Sequence, residues 1–317
     1  MKAVFLDWAT MGPGLDVSQL RALLPDLEMF DVTEARDVAA RIRDAEFVFA
    51  NKIRLTDELL NDCSTLRFIG LTATGTDNVD LNAARRHGVA VCNIRAYCTQ
   101  SVTEHVFACL LSLTHSIDRY AMDVRAGEWQ KSDDFCLLIH PIRELSAMTL
   151  GIVGYGKLGK GVAAAGAAFG MQVIVAARAG TNDVADDRVS FDELLTRSDV
   201  ISLHCPLNAN TRGLFGAAEF HRMKSHAILI NTARGGLVDS AALADALGSG
   251  QISAAAIDVL ADEPPVRGDP LLDYDGNNLI LTPHIAWATD EARQAAIDEL
   301  VANLRAFFDG GDRNRVV

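Results

Sequence analysis

The stretch Gly151-Ile152-Val153-Gly154-Tyr155-Gly156-Lys157-Leu158-Gly159 decides the fold. Gly154, Gly156 and Gly159 fit the pattern G-x-G-x-x-G. An apolar run, Met148 to Val153, precedes them, and an Ala-rich, helix-prone stretch, Val162 to Phe169, follows. A bare glycine pattern recurs in ordinary turns, whereas strand, glycine turn and helix in that order are the context of a dinucleotide fingerprint. There each glycine has a physical job. The first makes a tight turn, the second lets a pyrophosphate approach the backbone, and the third lets helix and strand pack closely. The helix N-terminus then faces the phosphates with its unpaired N–H groups.

Outward from this point, short apolar runs alternate with amphipathic stretches. Downstream, Thr149–Val153, Gln172–Ala176, Val200–His204, Ala227–Asn231, Ala254–Ile257 and Leu279–Leu281 read as strands, enough for a full doubly wound sheet. Upstream, Val4–Leu6, Phe47–Ala50, Phe68–Leu71 and Val89–Cys92 read as buried strands, with helices at Ser18–Leu24, Val38–Ile42 and Leu81–His87. Such alternation implies βαβ units and a parallel sheet. Ser101 to Arg119 predicts one long apolar helix, with Ser101 and Glu104 spaced as a capping box. Tyr120 to Ser146 is irregular and reads either as an arm reaching another subunit or as a surface loop. The last helix spans Asp290 to Phe308.

The 317 residues suggest about two domains. A hydrophobic fraction of 49% and a charged fraction of 22% are those of an ordinary globular protein. The net charge of -13 argues against a nucleic-acid partner, which would need a basic face. Cys63, Cys92, Cys98, Cys109, Cys136 and Cys205 form no C-x-x-C pair, so no metal site is indicated, and reduced thiols are expected. Met1 to Asp7 reads as a short strand without the apolar region of a signal peptide. No run approaches the roughly 18 apolar residues of a membrane span, so the expected compartment is the cytoplasm.

Ligands of open α/β sheets bind beyond the carboxyl ends of the strands. Three chemically complementary residues hold such positions: Arg234 in Asn231-Thr232-Ala233-Arg234-Gly235-Gly236, Glu263 in Asp258-Val259-Leu260-Ala261-Asp262-Glu263-Pro264, and His284 in Thr282-Pro283-His284-Ile285-Ala286-Trp287. A histidine delivers or takes a proton near neutral pH. A carboxylate beside it stabilises the imidazolium. An arginine binds a carboxylate through two parallel bonds. With a bound nicotinamide, the set suits reduction of a 2-keto acid. His105 and His115, on the apolar helix, read as core or interface residues. Trp287 is placed either to wall the site or to pack.

These motifs, with Ala73-Thr74-Gly75-Thr76-Asp77-Asn78-Val79-Asp80 ahead of them, carry a resemblance over nearly the whole chain. The chain resembles the D-isomer-specific 2-hydroxyacid dehydrogenase family. Asn51-Lys52, Asp134-Phe135-Cys136 before His140-Pro141, and His284-Ile285-Ala286-Trp287 bring it nearest the glycerate dehydrogenase, or hydroxypyruvate reductase, branch. The resemblance implies an α/β fold of two doubly wound parallel-sheet domains. A Rossmann cofactor domain, residues 100–285, would be inserted in a flavodoxin-like substrate domain, residues 1–99 plus 286–317. It implies that Arg234 holds the substrate and polarises its carbonyl, that His284 is the acid/base, and that Glu263 is its partner. Asn51, Lys52, Thr74 and Gly75 would bind substrate alongside Arg234 and His284. Cofactor contacts would come from Thr74, Gly154, Gly156, Lys157, Leu158, Gly159, Cys205, Pro206, Thr232, Ala233, Arg234, Asp258, His284 and Ala286. The implied product of hydroxypyruvate or glyoxylate reduction is D-glycerate or glycolate, and the implied assembly is a homodimer.

One position departs from the pattern of an NAD enzyme. After its second cofactor-domain strand, such an enzyme places an acid on the ribose 2′-hydroxyl. Counted from the glycines, that acid belongs at Ala177, with Arg178 next and Thr181 nearby. Without the carboxylate a 2′-phosphate meets no repulsion, and Arg178 can pair with it. The expected preference is NADP(H), with NAD(H) possible. Two other readings share the scaffold. A phosphite dehydrogenase, or a reductase of another 2-keto acid, keeps the same three residues; a formate dehydrogenase usually has glutamine where Glu263 stands. A nucleotide-sensing protein resembling the C-terminal-binding corepressors also keeps them, though the chain has no low-complexity stretch and no basic face.

Overall fold

Runs of three to five apolar residues become strands in both halves of the chain. The computed structural model describes residues 1–180 and 185–317. It divides into two units, Met1–Cys98 with Trp287–Val317, and Thr99–Ala286.

In the first unit the chain alternates β1 (Ala3–Phe5), α1 (Ser18–Leu23), β2 (Leu27–Met29), α2 (Val38–Ile42), β3 (Phe47–Ala50), α3 (Asp57–Asn61), β4 (Phe68–Leu71), α4 (Leu81–Arg86) and β5 (Ala90–Cys92). The strands form one sheet in the order β2-β1-β3-β4-β5, every pair parallel. Strands covered on both faces read as continuous apolar runs, and β1, β3, β4 and β5 are buried at every residue. The period of two divides them. Val4, Val48, Ala50 and Ile69 join α2 and α4 in one core. Phe5, Phe47, Phe49 and Phe68 join the other, together with the C-terminal helix Asp290–Phe308 through Ala296, Ile297, Leu300, Val301 and Leu304. That helix docks tightly on β4. A methyl group at Gly70 would lie 2.6 Å from Leu300 Cδ1. Asp80, the N-cap of α4, accepts from the Ala83 N–H at 2.8 Å.

The second unit opens with α5 (Thr99–His115) and α6 (Ile117–Arg125). The single helix expected over Ser101–Arg119 is therefore two. Ser116 takes a left-handed φ of 51°, which an α-helix does not accommodate. The capping box expected at Ser101 and Glu104 does not form either. The helix starts at Thr99, and the Ser101 hydroxyl, buried in the first turn, donates instead to the Ala286 carbonyl at 2.7 Å. Glu104 accepts from Gln100 Nε2. After α6, residues 126–144 hold only a short turn at Trp129–Lys131, and Phe135, Leu138, Ile139 and Ile142 are exposed, Phe135 at 92%.

The second sheet follows with β6 (Thr149–Val153), α7 (Lys157–Ala168), β7 (Gln172–Val175), α8 (Phe191–Arg197), β8 (Val200–Leu203), α9 (Ala217–Arg222), β9 (Ile228–Asn231), α10 (Ser240–Gly248), β10 (Ala254–Ile257) and β11 (Leu279–Leu281). Its order is β11-β10-β9-β8-β6-β7, all parallel. Beyond β7, Val189 makes one parallel bridge to Ala176, a third strand reduced to a single pairing. The strand order reverses between β6 and β8, where doubly wound sheets take their ligands. Among the described residues, no helix is long and apolar enough to cross a membrane.

The docking of the C-terminal helix is open to test. Leu300 is fully buried. Leu300→Ala should cost about 2–5 kcal/mol of unfolding free energy in urea titration, and a loss below about 0.5 kcal/mol, the range of surface changes, would contradict this packing.

Candidate active site

The glycine turn sits at the end of β6, against the end of β8. Gly154 has φ +96°, and a methyl group there would lie 2.5 Å from the Cys205 nitrogen. A methyl group at Gly159 would strike the Gly154 carbonyl. At Gly156, the N-cap of α7, nothing lies within 4 Å of the corresponding position. Two glycines are thus demanded by the protein, and the middle one leaves backbone open. Lys157 and Leu158 form the first turn of α7 behind it. This is the cradle a pyrophosphate fits.

The neighbouring strand ends carry buried polar atoms without partners. Thr232 Oγ1, just past β9, and His204 Nδ1, just past β8, have none among the described residues. His204 Nε2 lies 2.8 Å from Ser202 Oγ, and burial pushes its pKa down to about 4, so the ring is neutral. Burial also pushes the Cys205 thiol up, and Pro206 follows it. Orphaned polar groups at a ligand-binding edge fit a polar ligand that completes them. Ala177 donates its N–H to Val189, leaving the exposed Arg178 just beyond the sheet. Thr181 lies outside the described residues. Arg188, which the sequence reading did not single out, places its guanidinium 4.7 Å from the Tyr155 ring centroid, within the glycine turn. Its neighbour Val189 makes the one-residue bridge to Ala176.

Arg234, Glu263 and His284 leave adjacent strands at one edge. Asn231, Ile257 and Leu281 stand in register on β9, β10 and β11. Arg234 and His284 each come three residues past that row, two strands apart, which is about 10 Å between strand axes. The Asn231 side chain ties the Arg234 turn, donating to the Arg234 carbonyl at 2.9 Å and accepting from the Ala233 N–H at 3.0 Å. Gly235 packs against the Leu260 backbone, where any side chain would collide. The Leu260 N–H donates to Glu263 Oε1 at 2.9 Å, and Glu263 Oε2 lies 2.6 Å from His284 Nδ1. Glu263 thereby fixes the orientation of the His284 ring through Nδ1.

His284 has a left-handed φ of 57°, a strained conformation for a side chain of its size. Its N–H donates to the Asp258 carbonyl at 2.7 Å. The Asp258 carboxylate, 2% exposed, accepts from Thr282 Oγ1 at 2.6 Å and from the Ile285 and Ala286 N–H groups at 2.9 Å. Asp258, expected among the cofactor contacts, thus spends its carboxylate on the loop that carries His284.

In the first unit, the expected substrate residues Asn51 and Lys52 follow β3. Asp7, 4% exposed and missed from the sequence, gathers the N–H groups of Asn51, Lys52 and Ile53 at 2.6–3.2 Å. Asn51 is buried, with Nδ2 donating to Thr10 Oγ1, while Lys52 is exposed. The Thr74 carbonyl accepts from Asn93 Nδ2 at 2.6 Å, which pins the turn at Gly75. Trp287 packs edge-on to Tyr97.

The profile described as D-isomer specific 2-hydroxyacid dehydrogenase, NAD binding domain, matches residues 107–286. The chain belongs to the D-isomer-specific 2-hydroxyacid dehydrogenase family. It is 45% identical to the glycerate dehydrogenase of Methylorubrum extorquens over 282 residues, 88% of each chain. It is 38% identical to the hydroxypyruvate reductase of Blautia hydrogenotrophica, over 100% of this chain and 99% of the other. Among solved structures it is similar to an acyclic imino acid reductase in complex with NADPH and D-Arg, with a TM-score of 0.86, 28% identity and full coverage of both chains. The expected fold is that of this family, and the dehydrogenase is an NAD(P)-dependent oxidoreductase acting on CH–OH donors.

The glycine cradle of the dehydrogenase gives a direct test. A side chain at Gly154 adds about 1–3 kcal/mol of backbone strain besides the contact with Cys205. The turn relieves this strain by leaving its present course, and regaining that course on binding costs up to the same amount. Gly154→Ala should therefore weaken cofactor binding by about ten- to a hundredfold, about 1.4 kcal/mol being tenfold. Fluorescence titration measures it, and unchanged affinity would contradict the cradle.

Proposed function

We propose that the protein reduces a small 2-keto acid, hydroxypyruvate or glyoxylate, to the D-2-hydroxy acid, with NADPH preferred over NADH. The His284–Glu263 pair, set on strand ends beside that of Arg234, carries the reading. A reduced nicotinamide cofactor, held by the glycine turn with Lys157 and Leu158, would supply hydride for the carbonyl carbon. Arg234 holds the substrate carboxylate and polarises the carbonyl. His284 gives its Nε2 proton to the carbonyl oxygen, and Glu263, at Nδ1, fixes the ring and stabilises the imidazolium that precedes transfer. Hydride and proton together convert the ketone to the secondary alcohol.

We assign substrate binding also to Lys52, Asn51 and the backbone at Thr74 and Gly75. Residues 1–99 and 286–317 act as the substrate domain and residues 100–285 as the cofactor domain. We assign the cofactor contacts to the glycine turn with Lys157 and Leu158, to Thr74, Cys205 and Pro206, and to Thr232, Ala233, Asp258 and Ala286. Relatives named for glycerate and hydroxypyruvate support the substrate class. Ala177 in place of an acid, with Arg178 exposed beside it and Arg188 at Tyr155, supports the NADPH preference. Six free thiols suit a reducing compartment, which we take to be the cytoplasm.

Consumption of NADPH on addition of hydroxypyruvate or glyoxylate tests the activity. The expected kcat/KM is higher with NADPH than with NADH, and Ala177→Asp should shift it towards NADH. His284→Ala should lower kcat by about 10²–10⁴-fold, the usual contribution of a general acid, while cofactor still binds. Turnover at the wild-type rate in that variant would refute the assignment.

The exposed Met122, Phe135, Leu138, Ile139 and Ile142 support a homodimer built through residues 117–142. Light scattering should give twice the chain mass, and Leu138→Asp should reduce the assembly to monomers. A monomeric wild-type protein would overturn this part.

A further inference from the structure

We propose that His105 and Ser101, one helical turn apart on α5, are positioning residues that hold the His284 loop in its active geometry. The inference rests on the reading of His284 as the acid/base.

The loop Thr282–Ala286 carries His284 in a left-handed conformation, and such a conformation persists only where its surroundings over-determine it. Asp258 grips the loop from beneath. Two further bonds come from α5. His105 Nε2 lies 3.2 Å from Thr282 Oγ1, and Ser101 Oγ donates to the Ala286 carbonyl at 2.7 Å. Residues four apart lie on one helix face, so the face of α5 that carries Ser101 and His105 touches the loop at both its ends.

Proton bookkeeping fixes the direction of the relay. An ionised carboxylate only accepts, and a hydroxyl has one proton to give. Thr282 is 2.6 Å from Asp258 Oδ1 and 3.2 Å from His105 Nε2. Its proton goes to Asp258, so its oxygen accepts from His105 Nε2–H. Nε2 also lies 3.8 Å from Asp258 Oδ1. Removal of the imidazole leaves the Thr282 oxygen short of a donor and the Asp258 carboxylate without it. Imperfect support of a strained loop misplaces the proton donor, and a small misplacement slows proton transfer more than it weakens substrate binding.

The test compares His105→Ala, His105→Gln and Ser101→Ala in the full chain. His105→Ala should lower kcat about tenfold or more, part of the 10²–10⁴ that a general acid contributes, with KM for hydroxypyruvate and the NADPH dissociation constant within about twofold of wild type. Glutamine keeps a donor N–H, so His105→Gln should recover most of the loss. Ser101→Ala should lower kcat in the same direction. Thr282→Val breaks the same relay from the loop and should match His105→Ala, which keeps the test valid if His105→Ala fails to fold. Wild-type kcat in folded His105→Ala or in Thr282→Val would overturn the proposal. So would a loss that appears equally in cofactor affinity, the mark of a general structural defect. If His284→Ala itself retains turnover, the acid/base reading has failed instead, and the two failures are distinguished.

Discussion

A buried carboxylate just beyond a strand holds the loop that follows the neighbouring strand, and both units use this device. Past β10, Asp258 gathers the Thr282 hydroxyl and the Ile285 and Ala286 N–H groups of the loop after β11. Past β1, Asp7 gathers the Asn51, Lys52 and Ile53 N–H groups of the loop after β3. A buried charge is tolerable only when donors surround it, and backbone N–H groups in a loop need acceptors as much. Each need meets the other. Each loop is thereby anchored at several points to the end of a neighbouring strand.

The same economy joins the three chemical side chains. Gly235 presses on Leu260, Leu260 donates to Glu263, and Glu263 meets His284. A guanidinium, a carboxylate and an imidazole from three strands are therefore linked by one run of backbone and side-chain contacts. The strand register supplies the coarse placement, and the hydrogen bonds refine it.

Much of this was legible in the residues. Buried parallel strands announce themselves as apolar runs, and the C-terminal helix spans the residues its periodicity marked, Asp290–Phe308. The Arg, Glu and His positions followed from their place after such runs. What could not be read depended on tertiary pairing. Asp7 looks like any acid after a strand until the loop after β3 folds onto it. His105 sits in an apolar helix, where a core role is the ordinary inference, and its partner Thr282 lies 177 positions away. The capping box failed for the same reason. Ser101 matched the local pattern, but a distant carbonyl competed for its hydroxyl. Arg188 became visible only through the bridge of Val189 to Ala176.

The Ser101–Ala286 bond also ties the second unit at its two ends. The chain enters that unit at Thr99 and leaves it at Ala286, and these ends lie within reach of a single hydroxyl. To the first unit, the whole inserted domain is then a loop of almost no span. Closing a loop costs entropy that grows with its floppy length, but a folded insertion with adjoining ends has little floppy length left. The helix Asp290–Phe308 can thus return to a sheet that was begun far upstream in the chain. Insertions with adjoining ends are also the kind that can be transplanted between hosts.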